Sequence, residues 1–378
     1  MIDTTEGLER LVEHILRLGS VALDTEFFWE RTFYPRLGVV QLGLPDGRCE
    51  LVDAPAIGGF EPGGLGPLAR LLDAAGVVKI LHDAPQDLVI LRRAAGAAAP
   101  RTIFDTRCAA GFAGLPATIS LSNLLNELLG VELPKTETRA DWLKRPLSEK
   151  QVRYAEDDVR YLHQARDELE RRAAANGVDG WLREELTALD DPGLYGERDP
   201  RVQYTRLKGT GRLRPRELAV LRELAAWREK TARRRDIPRG RVLADKTLVH
   251  LARVQPQSLK SLTSRGRVTL RTADRSGRAI LQAVAAGMAV AQDQCPPASL
   301  RRRDAGVPGD LVDWGMTLVR DRAAARGIDP SLVAGRADVR NLLVAGSSAA
   351  DGEHRLLRGW RAELAGRELL ACCLNGEQ

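Results

Sequence analysis

No uncharged apolar run in the chain approaches the roughly 20 residues that a membrane-spanning helix needs. The opening residues, with Asp3, Glu6, Glu9 and Glu13 among them, lack the basic start and apolar centre of a signal peptide. A cytoplasmic protein with no membrane partner is the expectation. Cysteine is sparse and unpatterned: Cys49, Cys108, Cys295, Cys372 and Cys373 are odd in number and show no Cys-x-x-Cys spacing, which argues against a disulfide framework or a zinc site. No Gly-x-x-x-x-Gly-Lys-Ser/Thr loop is present, so an ATP-driven motor such as a helicase is disfavoured and ATP is not an expected partner. Aromatics are few, 6 Phe, 6 Trp and 5 Tyr in 378 residues. Yet five of them, Phe27, Phe28, Trp29, Phe33 and Tyr34, crowd into one short stretch. What is abundant is ordinary for a globular protein, 44% hydrophobic and 29% charged residues, and the length corresponds to two or three domains.

Charge is unevenly spread. Residues 1–200 hold 23 Lys and Arg against 33 Asp and Glu, a net −10, whereas residues 201–378 hold 34 against 18, a net +16. Such a split points to a polyanion bound by the C-terminal half and chemistry placed elsewhere. The run Arg233-Arg234-Arg235, with Arg239 and Arg241, is the most concentrated basic candidate for phosphate contact.

The pattern of elements supports an α/β domain followed by helices. A helix over the first twenty residues, with Thr5 as a possible cap and Gly19 as its stop, is followed by strand-like runs at 21–24, 39–44 and 49–52, the last two joined through Pro45-Asp46-Gly47. Helix, strand, helix and strand then alternate at about 65–74, 77–81, 85–94 and 102–104, the signature of an α/β layer. A long helix is expected over 147–174, opened by Ser148 as cap with Gln151 three residues on. The Asp-, Pro- and Gly-rich stretch 191–210 reads as a linker. The expected domains are therefore 1–190, a helical block 211–292 and a second, divergent helical block 296–378, the last interrupted by a loop at 345–352. A pattern around Trp227 to Pro238 is loosely echoed around Trp314 to Pro330, so the two blocks read as a degenerate repeat.

Acidic residues carry the chemistry. On a strand side chains alternate, so Asp24 and Glu26 point the same way at the end of an apolar run, and two hard oxygen donors so placed suit Mg²⁺ or Mn²⁺. Asp83 follows a strand, and Asp87 falls in the first turn of a helix, where the helix dipole alone favours an acid. His82 reads as a structural or capping histidine. Along the helix at 147–174, about 100° per residue puts Val152, Ala155, Val159, Leu162 and Leu169 on one apolar stripe, with Asp158 and Tyr154 at its margin and Glu156 and Asp157 toward water. An acid at the rim of a core needs a partner, a salt bridge or a metal.

Taken together, Asp24-Thr25-Glu26, His82-x-x-x-x-Asp87 and Tyr154-x-x-x-Asp158 resemble, in order and spacing, the three motifs of the tyrosine-bearing DEDD exonucleases. The segment Lys135-Thr-Glu-Thr-Arg-Ala-Asp-Trp-Leu-Lys-Arg-Pro-Leu-Ser148 looks like the one preceding the third motif in the ribonuclease D family, and the helical blocks resemble that family's HRDC domains. The resemblance implies a ribonuclease H-like exonuclease domain, a mixed sheet flanked by helices, followed by two all-α HRDC-like domains. It also implies two divalent metal ions held by Asp24, Glu26, Asp87 and Asp158, with Asp24 bridging, Glu26 and Asp158 completing one site and Asp87 serving the other. Tyr154 would orient the attacking water. The implied function is a 3′–5′ exoribonuclease, monomeric, that releases 5′-nucleotides from the single-stranded 3′ ends of tRNA precursors and other structured RNAs. Phe27 or Phe28 is the expected base contact, Phe33 and Tyr34 are expected to pack under the sheet, and Arg233, Arg234 and Arg235 are expected phosphate contacts. A DNA-directed 3′–5′ exonuclease and a non-catalytic nucleic-acid-binding module are the rival readings; retention of all four acids and the tyrosine argues against the second.

Overall fold

A computed structural model describes residues 1–96, 98–134, 140–297, 307–346 and 354–375. The chain forms two compact units, one of Met1–Phe28, Arg36–Gly196 and Val307–Gln378, the other of Trp29–Pro35 and Glu197–Gly306. Part of the Lys135–Ser148 segment (135–139) and most of the loop expected at 345–352 (347–352) lie outside the described residues.

The first unit is built on a five-stranded mixed sheet. Helix α1 (Thr5–Leu18) starts where the Thr4 side chain accepts the Gly7 N–H and stops at Gly19, whose φ of +77° a side chain would resist; its face of Leu8, Leu11, Val12 and Ile15 is buried. Strands β1 (Ser20–Phe28), β2 (Arg36–Gly43) and β3 (Cys49–Asp53) are antiparallel neighbours, and β4 (Val78–Leu81) and β5 (Ile103–Asp105) add parallel to β1, in the order β3-β2-β1-β4-β5. The strand expected at 21–24 continues to Phe28 because its pairing with β2 continues past the acids, Glu26 opposite Val39 and Phe28 opposite Arg36. Among the described residues, seven further helices follow in this part of the chain: α2 (Pro67–Asp73), α3 (Pro85–Ala94), α4 (Thr106–Phe112), α5 (Leu121–Leu129), α6 (Glu149–Arg160), α7 (Leu162–Ala175) and α8 (Asp179–Thr187). One apolar core joins α1, α2 and α3 to Val21, Leu23 and Leu42 of the sheet, while α6 lies against β1, β2 and β3. The single long helix expected at 147–174 is two helices that meet at Tyr161 (φ −104°, ψ 0°), which ends α6 and precedes α7. Tyr154 and Asp158 both lie on the first of them, one turn apart on the same side.

In the second unit α9 (Pro215–Arg235), α10 (Arg239–Val242), α11 (Asp245–Val254), α12 (Leu259–Ser264) and α13 (Leu270–Met288) close around Leu221, Leu224, Leu248, Leu251, Leu262 and Ile280. Within 191–210, the 3-10 turn Pro200–Arg206 packs along α9 with Gln203 buried. Phe33 and Tyr34, expected under the sheet, belong to the second unit. Their backbone N–H groups both donate to the Asp236 carboxylate at 3.0 Å, and Asp236 holds a left-handed φ of +45° that ends α9. A loop end and a helix end are thereby tied through one side chain.

The final stretch consists of α14 (Gly309–Ala324), α15 (Pro330–Val333), α16 (Arg336–Ala345), α17 (Gly359–Arg361), a π-turn at Ala362–Gly366 and α18 (Arg367–Asn375). Its first three helices repeat the order of α9, α10 and α11, a long helix, a four-residue helix entered through a proline region and a ten-residue helix. It shares one core with the rest of the first unit: Trp360, 1% exposed, meets Phe112 edge-on at 5.3 Å and stacks on Trp181 at 5.4 Å, and Arg361 pairs with Glu185 at 2.6 Å. No helix among the described residues is long and apolar enough to cross a membrane.

Because Trp360 joins the last block to α4 and α8, Trp360→Ala should cost the whole chain about 3–5 kcal/mol, measured by urea unfolding. A loss below about 1 kcal/mol would mean that the block is merely appended.

Candidate active site

Three elements converge on the C-terminal half of β1. Alternation along the strand puts Asp24 and Glu26 on the face covered by α6, with Thr25 on the other. Just after Glu26 the pairing with β2 shifts by one residue, a bulge that bends the strand where the acids end. Two glycines of β2 let the chain opposite come close. A Cβ on Gly43 would stand 2.6 Å from the carbonyl oxygen of Val159 on α6, and one on Gly38 would stand 2.5 Å from that of Trp142. Helix α6 therefore rests almost on the backbone of β2, and Asp158, one residue before Val159, reaches the strand acids. Its start is set by a capping box in which Ser148 and Gln151 satisfy each other's backbone N–H groups. The segment before it is anchored by Arg145, which pairs with Asp53 at 2.6 Å and donates to the Gly38 carbonyl at 2.9 Å.

Asp24, Glu26 and Asp158 each offer a carboxylate oxygen, all within 4.8 Å of one another. Asp87 does not belong to that triplet. It sits in the first turn of α3, buried, accepts a hydrogen bond from the Thr25 hydroxyl, and is near enough for its charge to act on Asp24. Burial pushes the Asp24 carboxyl well above the usual carboxylate range, and the charges of Asp87, Asp158 and Glu26 push it further. Glu26 rises to about 8 through burial and the charges of Asp158 and Asp87. Burial raises Asp158 to about 7 against the opposing hydrogen bond from Tyr154, and raises Asp87 to about 6 against the bond from Thr25. The Tyr154 phenol is held above its ordinary value by burial and by the acids beside it. Four carboxyls that resist ionising together, three of them in contact range, form a donor set that fits divalent cations with hard oxygen preference.

The other expected residues fall differently. Glu156 and Asp157 are partly buried and pair with Arg160 at 2.9 and 3.4 Å. The His82 ring is held between the Thr106 hydroxyl and the Ile119 carbonyl, a structural setting. Phe27 is partly buried against the sheet's apolar core, and Phe28 is partly buried too, whereas Trp29 is 49% exposed with its indole N–H donated to the Phe33 carbonyl. In the basic run Arg233 is committed to Glu229 and Glu197, and Arg239 to Glu229 and the face of Phe33 at 4.5 Å. Their charge neutralises a buried glutamate; Arg234 and Arg235, the other members of the run, are exposed. Two polar residues of the site escaped the sequence reading. Thr25 was visible only as the spacer between two acids. Gln41 stands opposite Asp24 and was signalled only by an amide in the otherwise apolar run Val39-Val40-Gln41-Leu42.

These raised carboxyl values give a sign for stability without metal. Between the unfolded value near 4 and the folded values of about 6 to 8, the folded state binds more protons, so metal-free stability should fall as pH rises from about 4 to 8. Thermal unfolding in EDTA is expected to show that fall, millimolar Mn²⁺ to reverse it at pH 8, and Asp158→Asn to raise the EDTA midpoint there. A midpoint at pH 8 indifferent to both would contradict the electrostatic account.

The family model described as 3′-5′ exonuclease matches residues 1–174, and that described as HRDC domain matches residues 217–284. The chain is 38% identical to ribonuclease D of Desulfotalea psychrophila, over 96% of this chain and 95% of the relative. It is 38% identical to ribonuclease D of Pseudomonas paraeruginosa, over 93% and 91% respectively. The crystal structure of Escherichia coli RNase D, 29% identical, covers 100% of this chain and 98% of its own with a TM-score of 0.85. The catalytic core of RRP6 from Trypanosoma brucei shares the fold at 24% identity and a TM-score of 0.56, over 76% of this chain and 79% of its own. A mixed-sheet exonuclease domain followed by an HRDC helical region, matched nearly end to end by these relatives, places the chain in the ribonuclease D family of 3′–5′ exoribonucleases.

Proposed function

We propose that Asp24, Glu26 and Asp158 hold one divalent cation, and Asp24 and Asp87 a second, Mg²⁺ or Mn²⁺, for hydrolysis of the terminal phosphodiester of an RNA 3′ end. The observation that carries this reading is the triplet of carboxylates within 4.8 Å, Asp158 buried and Asp24 and Glu26 partly so, with Asp87 held beside it by Thr25. Bound there, such ions supply the Lewis acidity that activates water and stabilises the departing 3′ oxygen. The chain supplies position. Tyr154 lies one turn before Asp158 with its hydroxyl on that carboxylate. Because its phenol holds its proton far above neutral pH, it orients the attacking water and does not deprotonate it.

The substrate class is the single-stranded 3′ end of structured RNA, tRNA precursors included, processed by a monomer without ATP. The Escherichia coli relative is described as an exoribonuclease involved in structured RNA processing, which supports this class over a DNA-directed exonuclease. Charge supports it as well: residues 201–300 hold 22 Lys and Arg against 7 Asp and Glu, a net +15. On α13 the exposed Arg271, Arg275 and Arg278 recur at i, i+4 and i+7, so they line one side of the helix, and they have no ion-pair partner among the described residues. That free face suits phosphates better than Arg233 does, with Arg234 and Arg235 as further contacts. Phe28 and Phe27 border the acids in sequence and serve as the base contacts.

With end-labelled RNA and Mn²⁺, mononucleotides should be released from the 3′ end, and EDTA should abolish the release. Asp24→Asn should lower the rate by roughly 10²–10³-fold or more. Activity indifferent to Asp24→Asn would refute the site; equal or faster cutting of a 2′-deoxy strand would favour the DNA-directed reading. Replacing Arg271, Arg275 and Arg278 together by Gln should weaken RNA binding and flatten its dependence on salt by about 2 in log–log slope. An unchanged slope would remove α13 from the binding surface.

A further inference from the structure

Along β2 the buried side chains Leu37, Val39, Val40 and Leu42 are apolar, and Gln41 among them carries a primary amide at 0% exposure. Register puts Gln41 directly opposite Asp24 on β1 and opposite Leu51 on β3, so its side chain lies on the sheet face that bears the acids and packs under α6. Its Nε2 donates to Asp24 Oδ2 at 3.5 Å, a long bond. Its Oε1 is buried and has no hydrogen-bond partner among the described residues. With a cation bound, Asp24 is an ionised carboxylate that only accepts, and the amide's NH₂ is then the end that can face it.

A half-satisfied buried amide is unfavourable, and an apolar side chain of similar length would avoid that cost. Val39 and Leu51, its flanking neighbours on the same face, show that the position tolerates apolar groups. The folded core therefore does not explain Gln41, and the carboxylate opposite it does. Asp24 is repelled by Asp87, Asp158 and Glu26 alike, and a free rotamer would turn its oxygens away from them.

We propose that Gln41 is a positioning residue: its amide holds the Asp24 carboxylate turned toward Glu26 and Asp158, so that a divalent cation meets ligands already in place. The inference rests on the reading of Asp24 as a cation ligand. Gln41 touches neither substrate nor scissile bond and acts through Asp24 alone. Its unpartnered Oε1 is the residual cost of placing an amide, which has two ends, where one donor is needed.

The test is Mn²⁺ binding to the full chain without RNA, followed by the electron paramagnetic resonance signal of free Mn²⁺, for Gln41→Met, Gln41→Asn and Asp24→Asn. Met matches the length and lacks the donor; Asn keeps the amide and falls one methylene short of Asp24. Both should weaken Mn²⁺ binding by about 10–100-fold, with kcat lowered and the KM for RNA unchanged. Gln41→Met should unfold in EDTA no earlier than the parent chain, which a purely structural role would not allow. Parental Mn²⁺ affinity in both Gln41 variants, with affinity lost in Asp24→Asn, overturns the role of Gln41 alone. Parental affinity in Asp24→Asn overturns the cation reading itself. Should Gln41→Met fail to fold, the affinity of Gln41→Asn decides.

Discussion

Mutual repulsion of Asp24, Glu26 and Asp158 is the constraint around which the first unit is arranged. Charges about 5 Å apart at an effective dielectric near 20 oppose one another by roughly 3 kcal/mol per ionised pair, and these carboxylates lie within 4.8 Å with Asp87 acting from the side. A flexible loop would relieve that strain by moving. Here each acid is fixed by backbone that cannot move alone: two on a strand paired with β2 along the acids and with β4 just before them, one in the first turn of α3 and one on a helix pressed to β2 at Gly43. The hydroxyls of Thr25 and Tyr154 and the Gln41 amide then act on individual carboxylates. The cluster is preorganised for positive charge at the expense of its own stability, a trade expected where binding chemistry is placed on rigid elements.

The basic side chains of the second unit divide by the same electrostatic logic. Glu229 is 1% exposed and draws both Arg233 and Arg239 to it, and Arg228 is buried against Asp245 and the Leu243 carbonyl. Those arginines hold α9, α10 and the Phe33 loop together. The arginines along α13 compensate no buried acid among the described residues, and a row of solvated cations is what a phosphate chain can meet without breaking the fold. Net charge alone does not separate the two populations; pairing does.

How far the sequence could be read depended on the range of the interaction involved. Asp24 and Glu26 share a face because of strand alternation, and Tyr154 and Asp158 share an edge because of helical register; both are local and both were legible. The break at Tyr161 carries no proline or glycine to announce it. The carboxylate that holds Phe33 and Tyr34 lies at Asp236, some two hundred residues on, and the last block is fixed by Arg361 on Glu185 at a comparable separation. Periodicity shows that a helix has an apolar face and does not show which surface covers it. Thr25 and Gln41 were passed over for a related reason: a single hydroxyl or amide in a strand acquires meaning only from the acid across from it.

The most direct test of the central claim is anomalous diffraction from crystals of the full chain soaked with Mn²⁺ and a short RNA. Two anomalous peaks roughly 4 Å apart are expected, one among Asp24, Glu26 and Asp158 and one between Asp24 and Asp87. Well-ordered RNA in the site with no anomalous density on these four carboxylates would contradict that claim.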